Sequence, residues 1–377
     1  MIYLDNSATT RVCDQAVDVM SRCMRDMYFN PSASYEKAMA VKAEMERIRT
    51  EIAALVHCPG GRVVFTSGGT EADNLAILGA LSGCREGRVL YSAGEHPAVK
   101  EACKALKGLR AESIPLLRDG TLNLEALSSM LSNDVLLIAV MQVNNETGAV
   151  MPLKEIAALR DRLCPDALFH VDGVQGFLRV PMDMKETGAD SYALSSHKIH
   201  GPKGAGALVA GPRVRLHALL HGGGQEGDLR SGTENTPGIL GMGEAIRAFP
   251  KENDMRRLKC LLWERLLGLV PGAVVNGPAP DAERSAPHIL NVSLPPVRSE
   301  TMQHALEGDG VLIGIGSACA SNKQRISETL SSMGVGRKIA ESALRFSLCP
   351  YTTEAEIETC AERVGAAYRF LSPYQRR

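Results

Sequence analysis

The chain has 377 residues, of which 45% are hydrophobic and 23% are charged, and its formal net charge is -1. These values are ordinary for a soluble globular protein with large buried cores, and they exclude the strongly basic surface that nucleic-acid binding requires. The N-terminus has no basic segment followed by an apolar core, and the longest apolar run, 135–143, is too short to span a bilayer. We therefore expect no signal peptide and no membrane span.

Apolar runs alternate with amphipathic segments from about residue 60 onward. The runs predict strands over 62–66, 88–92, 135–143, 167–171, 191–194 and 206–210, and the segments between them predict helices over 101–109, 124–131 and 153–163. This alternation is typical of an α/β fold with a mainly parallel sheet, helices on both faces, and ligands bound at the carboxyl ends of the strands.

The pattern becomes largely helical over 236–275, and it is followed by a strand candidate at 289–294 and by the stretch 311–320. We expect a large domain over 15–250 and a smaller α+β domain that combines 1–14 with 251–377. The cleft between two such domains is the expected binding site.

Three segments that follow the early strands are candidates for binding. Gly69 and Thr70 begin a helix after a glycine turn, where backbone N–H groups can hold a phosphate, although such a turn is more often only structural. His96 can stack on an aromatic cofactor and move protons, or simply cap a helix. The pair Asn144 and Asn145 can bind a cofactor oxygen or a substrate carboxylate, or only form a turn.

Asp172 and Lys198 are the central pair. Asp172 ends an apolar strand, where a carboxylate needs a cationic partner. Lys198 follows two serines and a histidine at the end of another strand, and partial burial there lowers the pKa of the amine and favours an imine. A lone lysine is more often a surface residue. Together, however, an amine and a carboxylate are what a pyridoxal phosphate enzyme needs, for the cofactor's aldehyde and its ring nitrogen.

Three later segments add candidates. The glycine-rich stretch 221–235 is typical of a flexible loop, or of a loop that reaches an anion across a dimer interface. The ten cysteines include no Cys-x-x-Cys pair, which favours a reducing cytoplasm and structural roles for nine of them. Cys319 differs because its small neighbours leave the thiol accessible as a nucleophile. Arg345 lies in an apolar run, where a guanidinium suits a substrate carboxylate.

Together the motifs resemble those of the class V, fold-type I pyridoxal phosphate enzymes, and specifically the NifS/IscS-like cysteine desulfurases. The resemblance extends over nearly the whole chain. Its motifs are Tyr3-Leu4-Asp5-Asn6-Ser7-Ala8-Thr9-Thr10, Thr66-Ser67-Gly68-Gly69-Thr70-Glu71, Glu95-His96-Pro97-Ala98-Val99, Asn144-Asn145-Glu146, His170-Val171-Asp172, Ser196-His197-Lys198, Arg230-Ser231-Gly232-Thr233, Gly316-Ser317-Ala318-Cys319 and Arg345-Phe346-Ser347.

The resemblance implies a fold-type I architecture with a seven-stranded sheet, a pyridoxal 5'-phosphate cofactor and a homodimer. Lys198 would bond to the cofactor and remove the substrate Cα proton, Asp172 would hold the ring nitrogen, and His96 would stack on the ring and take part in catalysis. The other implied cofactor contacts are Gly69, Thr70, Asn145, Gln175, Ser195, His197 and, from the partner subunit, Thr233. Asn145 and Arg345 would contact the substrate, and Cys319 would carry the sulfur as a persulfide.

The implied reaction converts L-cysteine to L-alanine and passes the sulfur to an acceptor protein, for iron-sulfur cluster assembly or for tRNA or cofactor thiolation. One alternative is a selenocysteine lyase or a class V aminotransferase, the latter having no need for Cys319. A second is a non-catalytic scaffold for a sulfur-trafficking partner. Three residues depart from the family pattern: Tyr35 replaces a histidine, Gly227 an arginine and Ile315 a common serine. They bear on loop charge and acceptor docking.

Overall fold

The computed structural model describes residues 1–316 and 326–374. The strands are β1 (Ile2–Leu4), β2 (Arg62–Thr66), β3 (Arg88–Ser92), β4 (Arg110–Ile114), β5 (Val135–Met141), β6 (Leu168–Asp172), β7 (Ser191–Ser195), β8 (Gly206–Ala210), β9 (Val274–Val275), β10 (Ile289–Ser293), β11 (Val311–Ile315) and β12 (Ala343–Ser347). The helices are α1 (Asp14–Asp26), α2 (Glu36–Leu55), α3 (Gly69–Asn74), α4 (Pro97–Ala105), α5 (Leu124–Met130), α6 (Leu153–Leu163), α7 (Met184–Thr187), α8 (Thr236–Ala248), α9 (Met255–Leu269), α10 (Ser299–Gly308), α11 (Glu328–Ser332), α12 (Arg337–Ala340) and α13 (Glu354–Leu371).

The larger sheet has seven strands in the order β2-β8-β7-β6-β5-β3-β4. Strand β8 is antiparallel to both of its neighbours, and the remaining neighbouring pairs are parallel. The prediction of a mainly parallel sheet within an α/β fold is therefore confirmed. The edge strand β4 was not among the predicted strands, because its largely polar sequence resembles the end of the helix predicted over 101–109. That helix instead ends at Ala105.

Both faces of the larger sheet are covered. Strand β5 shows this directly, because successive side chains of a strand point to opposite faces. Ile138 and Val140 pack in one core with residues of α2 and α6, whereas Leu137 and Ala139 pack in another with residues of α4. Burial on both faces explains why β5 is apolar along its whole length rather than alternating with polar residues.

The smaller sheet has five strands in the order β1-β11-β12-β10-β9 and a core of its own with α9, α10 and α13. Strand β1 pairs with β11 in parallel, so the first residues of the chain join a sheet whose other strands all lie beyond residue 273. The two sheets lie on opposite sides of the predicted division between 15–250 and 1–14 plus 251–377, and that division stays a prediction. In residues 1–316 and 326–374, no helix has the length and apolar character needed to cross a bilayer.

Candidate active site

A cavity of about 660 Å³ lies at the carboxyl ends of the central strands, where residues from both sheets meet. Strands β5, β6 and β7 are neighbours and parallel, so the residues at their ends share one edge of the sheet. The predicted site residues that line this cavity are Gly69, Thr70, His96, Asn145, Asp172, Gln175, Ser195, His197, Lys198 and Arg345. The structure thus brings together side chains that are up to 276 positions apart in the sequence.

Two predicted site residues are not placed in the cavity. Cys319 lies outside the described residues. Thr233 is exposed and is not among the lining residues. The role predicted for Thr233 belongs to the partner subunit's cofactor, so it stays a prediction.

Lys198 is held by a short turn and by the N-terminal segment. The 3-10 turn Ser196–Lys198 follows β7 directly. The Nζ atom of Lys198 donates hydrogen bonds to the carbonyl oxygens of Ser7 at 2.5 Å and Ala8 at 2.9 Å. A Cβ atom at Gly201 would lie 2.0 Å from Ser196 Oγ and 3.1 Å from the Ser196 carbonyl oxygen, so glycine leaves room for Ser196 at this turn. The local sequence therefore fixes the lysine stem and aims the amine into the cavity.

Asp172 ends β6 and is 5% exposed. Its Oδ1 atom accepts a hydrogen bond from the Val174 amide at 2.9 Å. Burial, with a further contribution from the neighbouring Asp73 carboxyl, raises the pKa of Asp172 to about 7. Glu95 is also buried beside it, and burial holds the pKa of that carboxyl well above its ordinary value. Such a set of carboxyls favours a cation, since a nearby positive charge returns one of them to the ionised form.

The two histidines of the cavity are both kept neutral. His96 is the N-cap of α4, and its Nδ1 atom accepts a hydrogen bond from the Ala98 amide at 3.1 Å. Burial lowers the pKa of His96. Because Nδ1 accepts a hydrogen bond, the ring proton of the neutral form lies on Nε2. Burial and the neighbouring Lys198 lower the pKa of His197 to about 4. A histidine at position 96 therefore both caps the helix and presents a neutral ring to the cavity.

Helix α3 begins at Gly69 and Thr70, beside the strand ends. The first amides of a helix lack intrahelical acceptors and can bind an anion. A Cβ atom at Gly69 would lie 2.5 Å from Val174 Cγ2, which shows how closely the helix start approaches the loop after β6. Glu71 accepts from the Ser67 amide at 2.8 Å and pairs with Arg230 at 2.8 Å. The glycine-rich stretch 221–235 is therefore tied to this helix start.

The asparagine pair after β5 divides into two roles. Asn144 is fully buried, and its Oδ1 atom accepts from the amides of Glu146 and Thr147 at 3.0 and 2.9 Å, as a turn former does. Asn145 lines the cavity, and its carbonyl oxygen accepts from Arg345 Nη1 at 3.0 Å. Asn144 therefore forms the turn, and the binding role of Asn145 stays a prediction.

Arg345 lies on β12 with a side chain that is 5% exposed. Its Nη2 atom pairs with Asp5 Oδ1 at 2.7 Å, and its buried Nε atom has no hydrogen-bond partner among the described residues. This Nε atom faces Gly314 of β11, where a Cβ atom would lie 3.0 Å from it. Because Nη1 and Nη2 each carry two N–H groups, the guanidinium combines a fixed orientation with N–H groups left over for a carboxylate in the cavity that Arg345 lines.

Sequence reasoning missed several residues of the cavity. Asp73 shares a helical face with Thr70, three residues earlier, and this spacing was the available signal. Glu95 and Glu146 also line the cavity. They lie inside motifs of the family resemblance, but the resemblance implies no role for them. Ser7 and Ala8 accept the Lys198 hydrogen bonds through their backbone carbonyls, so their side chains give no signal in the sequence.

Residues 2–360 match the family model described as aminotransferase class-V. The chain belongs to the class-V aminotransferase family. A relative named cysteine desulfurase, from Trichormus azollae, is 37% identical over 100% of this chain and 95% of that protein. A solved structure titled NifS-like protein has a TM-score of 0.88 at 32% identity, covering 98% of this chain and 100% of the other.

Another solved structure, titled SspA in complex with cysteine, has a TM-score of 0.82 at 28% identity, covering 94% of this chain and 100% of the other. The predicted resemblance to NifS/IscS-like cysteine desulfurases and the predicted fold are confirmed by these likenesses. This class-V family member is thus an enzyme of the cysteine desulfurase group.

The three departures of this class-V chain from the family pattern lie away from the cavity lining. Tyr35 is 53% exposed at the start of α2, and its ring meets Phe29 edge-on with 5.9 Å between centroids. Gly227 has a φ of 64° and open space around it, a conformation that a non-glycine residue adopts with strain. Ile315 ends β11. The cavity keeps the implied residues other than Cys319 and Thr233.

Proposed function

We propose that this chain converts L-cysteine to L-alanine and carries the released sulfur as a persulfide on Cys319, for transfer to an acceptor protein. The observation that supports this most is a single cavity lined by Lys198, Asp172, His96 and Arg345, in a chain homologous to cysteine desulfurases throughout. In the net reaction, the Cβ–S bond of cysteine breaks, an S–S bond to Cys319 forms, and the two thiol hydrogens end on the alanine methyl group and the persulfide.

The cavity fits pyridoxal 5'-phosphate, which would supply a ring able to accept electrons from the substrate Cα. Asp172 is buried and disfavours its own charge, so a protonated ring nitrogen beside it is a suitable partner. The start of α3 with Gly69 and Thr70, together with Ser195 and His197, would hold the phosphate. Gln175 has a buried Oε1 atom without a partner among the described residues.

The side chains of the cavity remove the substrate proton and orient the substrate. The Nζ atom of Lys198 is the base that takes the proton from the substrate Cα. His96 presents Nε2–H over the same cavity, since its Nδ1 atom is engaged by Ala98. The guanidinium of Arg345 orients the substrate by its carboxylate, and Asn145 contacts the cofactor oxygen or the substrate.

The same proposal extends to the wider context. Thr233 would contact the phosphate in the partner subunit of a homodimer, a role that its exposure allows. The acceptor is a protein that takes up sulfane sulfur, for iron-sulfur cluster assembly or thiolation. A cytoplasmic setting would keep the Cys319 thiol reduced.

The test incubates the purified, cofactor-loaded protein with L-cysteine and measures alanine, sulfide and a persulfide at Cys319 by peptide mass spectrometry. We expect alanine and a persulfide from the wild type, no visible cofactor band from Lys198→Ala, and an intact band without persulfide from Cys319→Ser. Sulfur transfer by Cys319→Ser at the wild-type rate would favour the selenocysteine lyase or aminotransferase alternative. A wild-type protein without a visible band would favour the scaffold alternative.

A further inference from the structure

Glu146 is a carboxyl of the cavity to which the reaction as proposed assigns no role. It is partly buried in the turn after β5. Its Oε2 atom lies 2.5 Å from Ser327 Oγ, and its Oε1 atom lies 3.1 Å from Thr329 Oγ1. An ionised carboxylate can only accept, so both hydroxyls donate to it. Glu146 therefore binds the first turn of α11 through two side chains.

The same carboxylate also lies against the end of β11. A Cβ atom at Gly316 would be 2.7 Å from Glu146 Oε2 and 3.4 Å from Ser327 Cβ. Gly316 and Ser327 thus lie side by side at the carboxylate, although ten residues separate them in the sequence. Gly316 directly precedes the segment 317–325, which contains Cys319, and Ser327 lies two residues after it, so Glu146 lies beside Gly316 and is hydrogen-bonded to Ser327.

The turn that carries Glu146 is itself fixed to the substrate side of the cavity. The backbone N–H of Glu146 donates to Asn144 Oδ1 at 3.0 Å, and the carbonyl oxygen of Glu146 accepts from Asn291 Nδ2 at 3.1 Å. The preceding carbonyl, that of Asn145, accepts from Arg345 Nη1. Anything bound to the Glu146 carboxylate is therefore placed relative to Arg345.

Resting on the proposed function, we propose that Glu146 is a positioning residue for sulfur transfer. Its carboxylate fixes Gly316 and Ser327 relative to Asn145 and Arg345, so that the thiol carried between them meets the substrate sulfur. Reacting atoms must approach to about 3–3.5 Å, and a misplacement of about 1 Å lowers a rate by roughly a hundredfold. Two hydroxyl contacts and one close backbone contact at a single carboxylate are suited to setting such a distance.

Three variants test this. Glu146→Ala removes the contacts, Glu146→Gln keeps the shape and part of the hydrogen bonding, and Thr329→Val removes one hydroxyl without touching the Ser327 contact. The matched control is Ser332→Ala, which removes a hydroxyl bonded to the Thr329 carbonyl at 2.8 Å on the same helix, away from Glu146. Alanine production gives kcat and KM for L-cysteine.

We expect kcat of Glu146→Ala to fall at least about tenfold with KM changed less than about twofold, because placement rather than substrate binding is lost. Glu146→Gln and Thr329→Val should fall between Glu146→Ala and the wild type, and Ser332→Ala should match the wild type. In cofactor-free protein, hydrogen exchange of the peptide covering 326–332 and the rate of Cys319 alkylation should both rise in Glu146→Ala, independently of catalysis.

The outcomes separate this inference from the proposed function. If the wild type forms neither alanine nor a Cys319 persulfide, the proposed function is wrong and the inference falls with it. If the wild type is active, but Glu146→Ala has the wild-type kcat and the wild-type hydrogen exchange in the peptide covering 326–332, only the inference is wrong. A large rise in KM at unchanged kcat would also overturn it, because the carboxylate would then act on substrate binding.

Discussion

Replacing Arg345 by lysine should raise KM for L-cysteine far more than it lowers kcat. Nη1 and Nη2 each carry two N–H groups, and one of each is engaged, with Asn145 O and with Asp5 Oδ1, whereas Nε is buried. The substrate carboxylate therefore gains one charge-assisted hydrogen bond from a remaining N–H group of Nη1 or Nη2, and a second wherever it displaces Asp5. One such bond is worth about 1.5–3 kcal/mol, which corresponds to a rise in KM of roughly 10- to 150-fold.

Asp5 supplies the matched variant. Because its carboxylate competes with the substrate for Nη2, Asp5→Asn should lower KM, or leave it unchanged, while Arg345 keeps its place through Asn145. Steady-state rates of alanine formation over a range of cysteine concentrations give both constants. A wild-type KM in Arg345→Lys, or a rise in KM in Asp5→Asn as large as that in Arg345→Lys, would refute the assignment of Arg345 to the substrate carboxylate.

Three further predictions concern charge in buried places. Asp172→Asn should lower the affinity of the cofactor-free protein for pyridoxal phosphate by roughly tenfold or more, as measured by absorbance titration, since a buried charged partner is lost; unchanged binding would contradict its role. Lys259 is fully buried, and burial lowers the pKa of its amine to about 8. The unfolded chain holds that proton up to about pH 10.4, so the contribution of Lys259 to stability should rise by about 3 kcal/mol between pH 7 and 10.5. In urea unfolding, the stability of the wild type relative to Lys259→Met should rise by that amount, a difference that cancels the titration of the buried thiols of Cys103 and Cys360. Asp190→Ala should cost about 3–5 kcal/mol in the same assay, because Arg160, 3% exposed, loses its buried partner at 2.8 Å and keeps the exposed carboxylate of Asp161 at 2.6 Å. A loss below about 1 kcal/mol would show that the pair with Asp161 is enough to compensate the buried charge.

The sequence predicted the sheet well where strands are buried on both faces. Such strands are continuous apolar runs, and six of the seven strands in the larger sheet were found within a few residues of their ends. Strand β4 was not predicted because it lies at the edge of the sheet. Among its residues only Ile114 is fully buried, and polar residues are tolerated at the other positions. Likewise, the run 135–143 was predicted as strand throughout, yet β5 ends at Met141, and Val143 instead forms an isolated antiparallel bridge with Val150.

The site was predictable for a related reason. Parallel strands end at one edge, so residues that follow apolar runs converge whatever their distance in sequence. The hydrogen bonds made by backbone atoms and the mutual pKa effects of neighbouring carboxyls could not be predicted. The carbonyls of Ser7 and Ala8 hold Lys198, and nothing in their side chains reveals it. The effect of Asp73 on Asp172 requires a distance between two elements, which no local pattern supplies.

The N-terminal segment also explains how the lysine and the arginine come to act on one substrate. Strand β1 belongs to the smaller sheet, and the residues after it reach the turn that follows β7 of the larger sheet, where the Thr10 amide donates to the His197 carbonyl at 2.9 Å. Along this path Asp5 pairs with Arg345, whereas Ser7 and Ala8, two and three residues later, accept from Lys198 Nζ. Four consecutive residues therefore span the groups proposed to bind the carboxylate and to take the Cα proton. Because these two groups lie on different sheets, their spacing depends on this short connection as much as on either core.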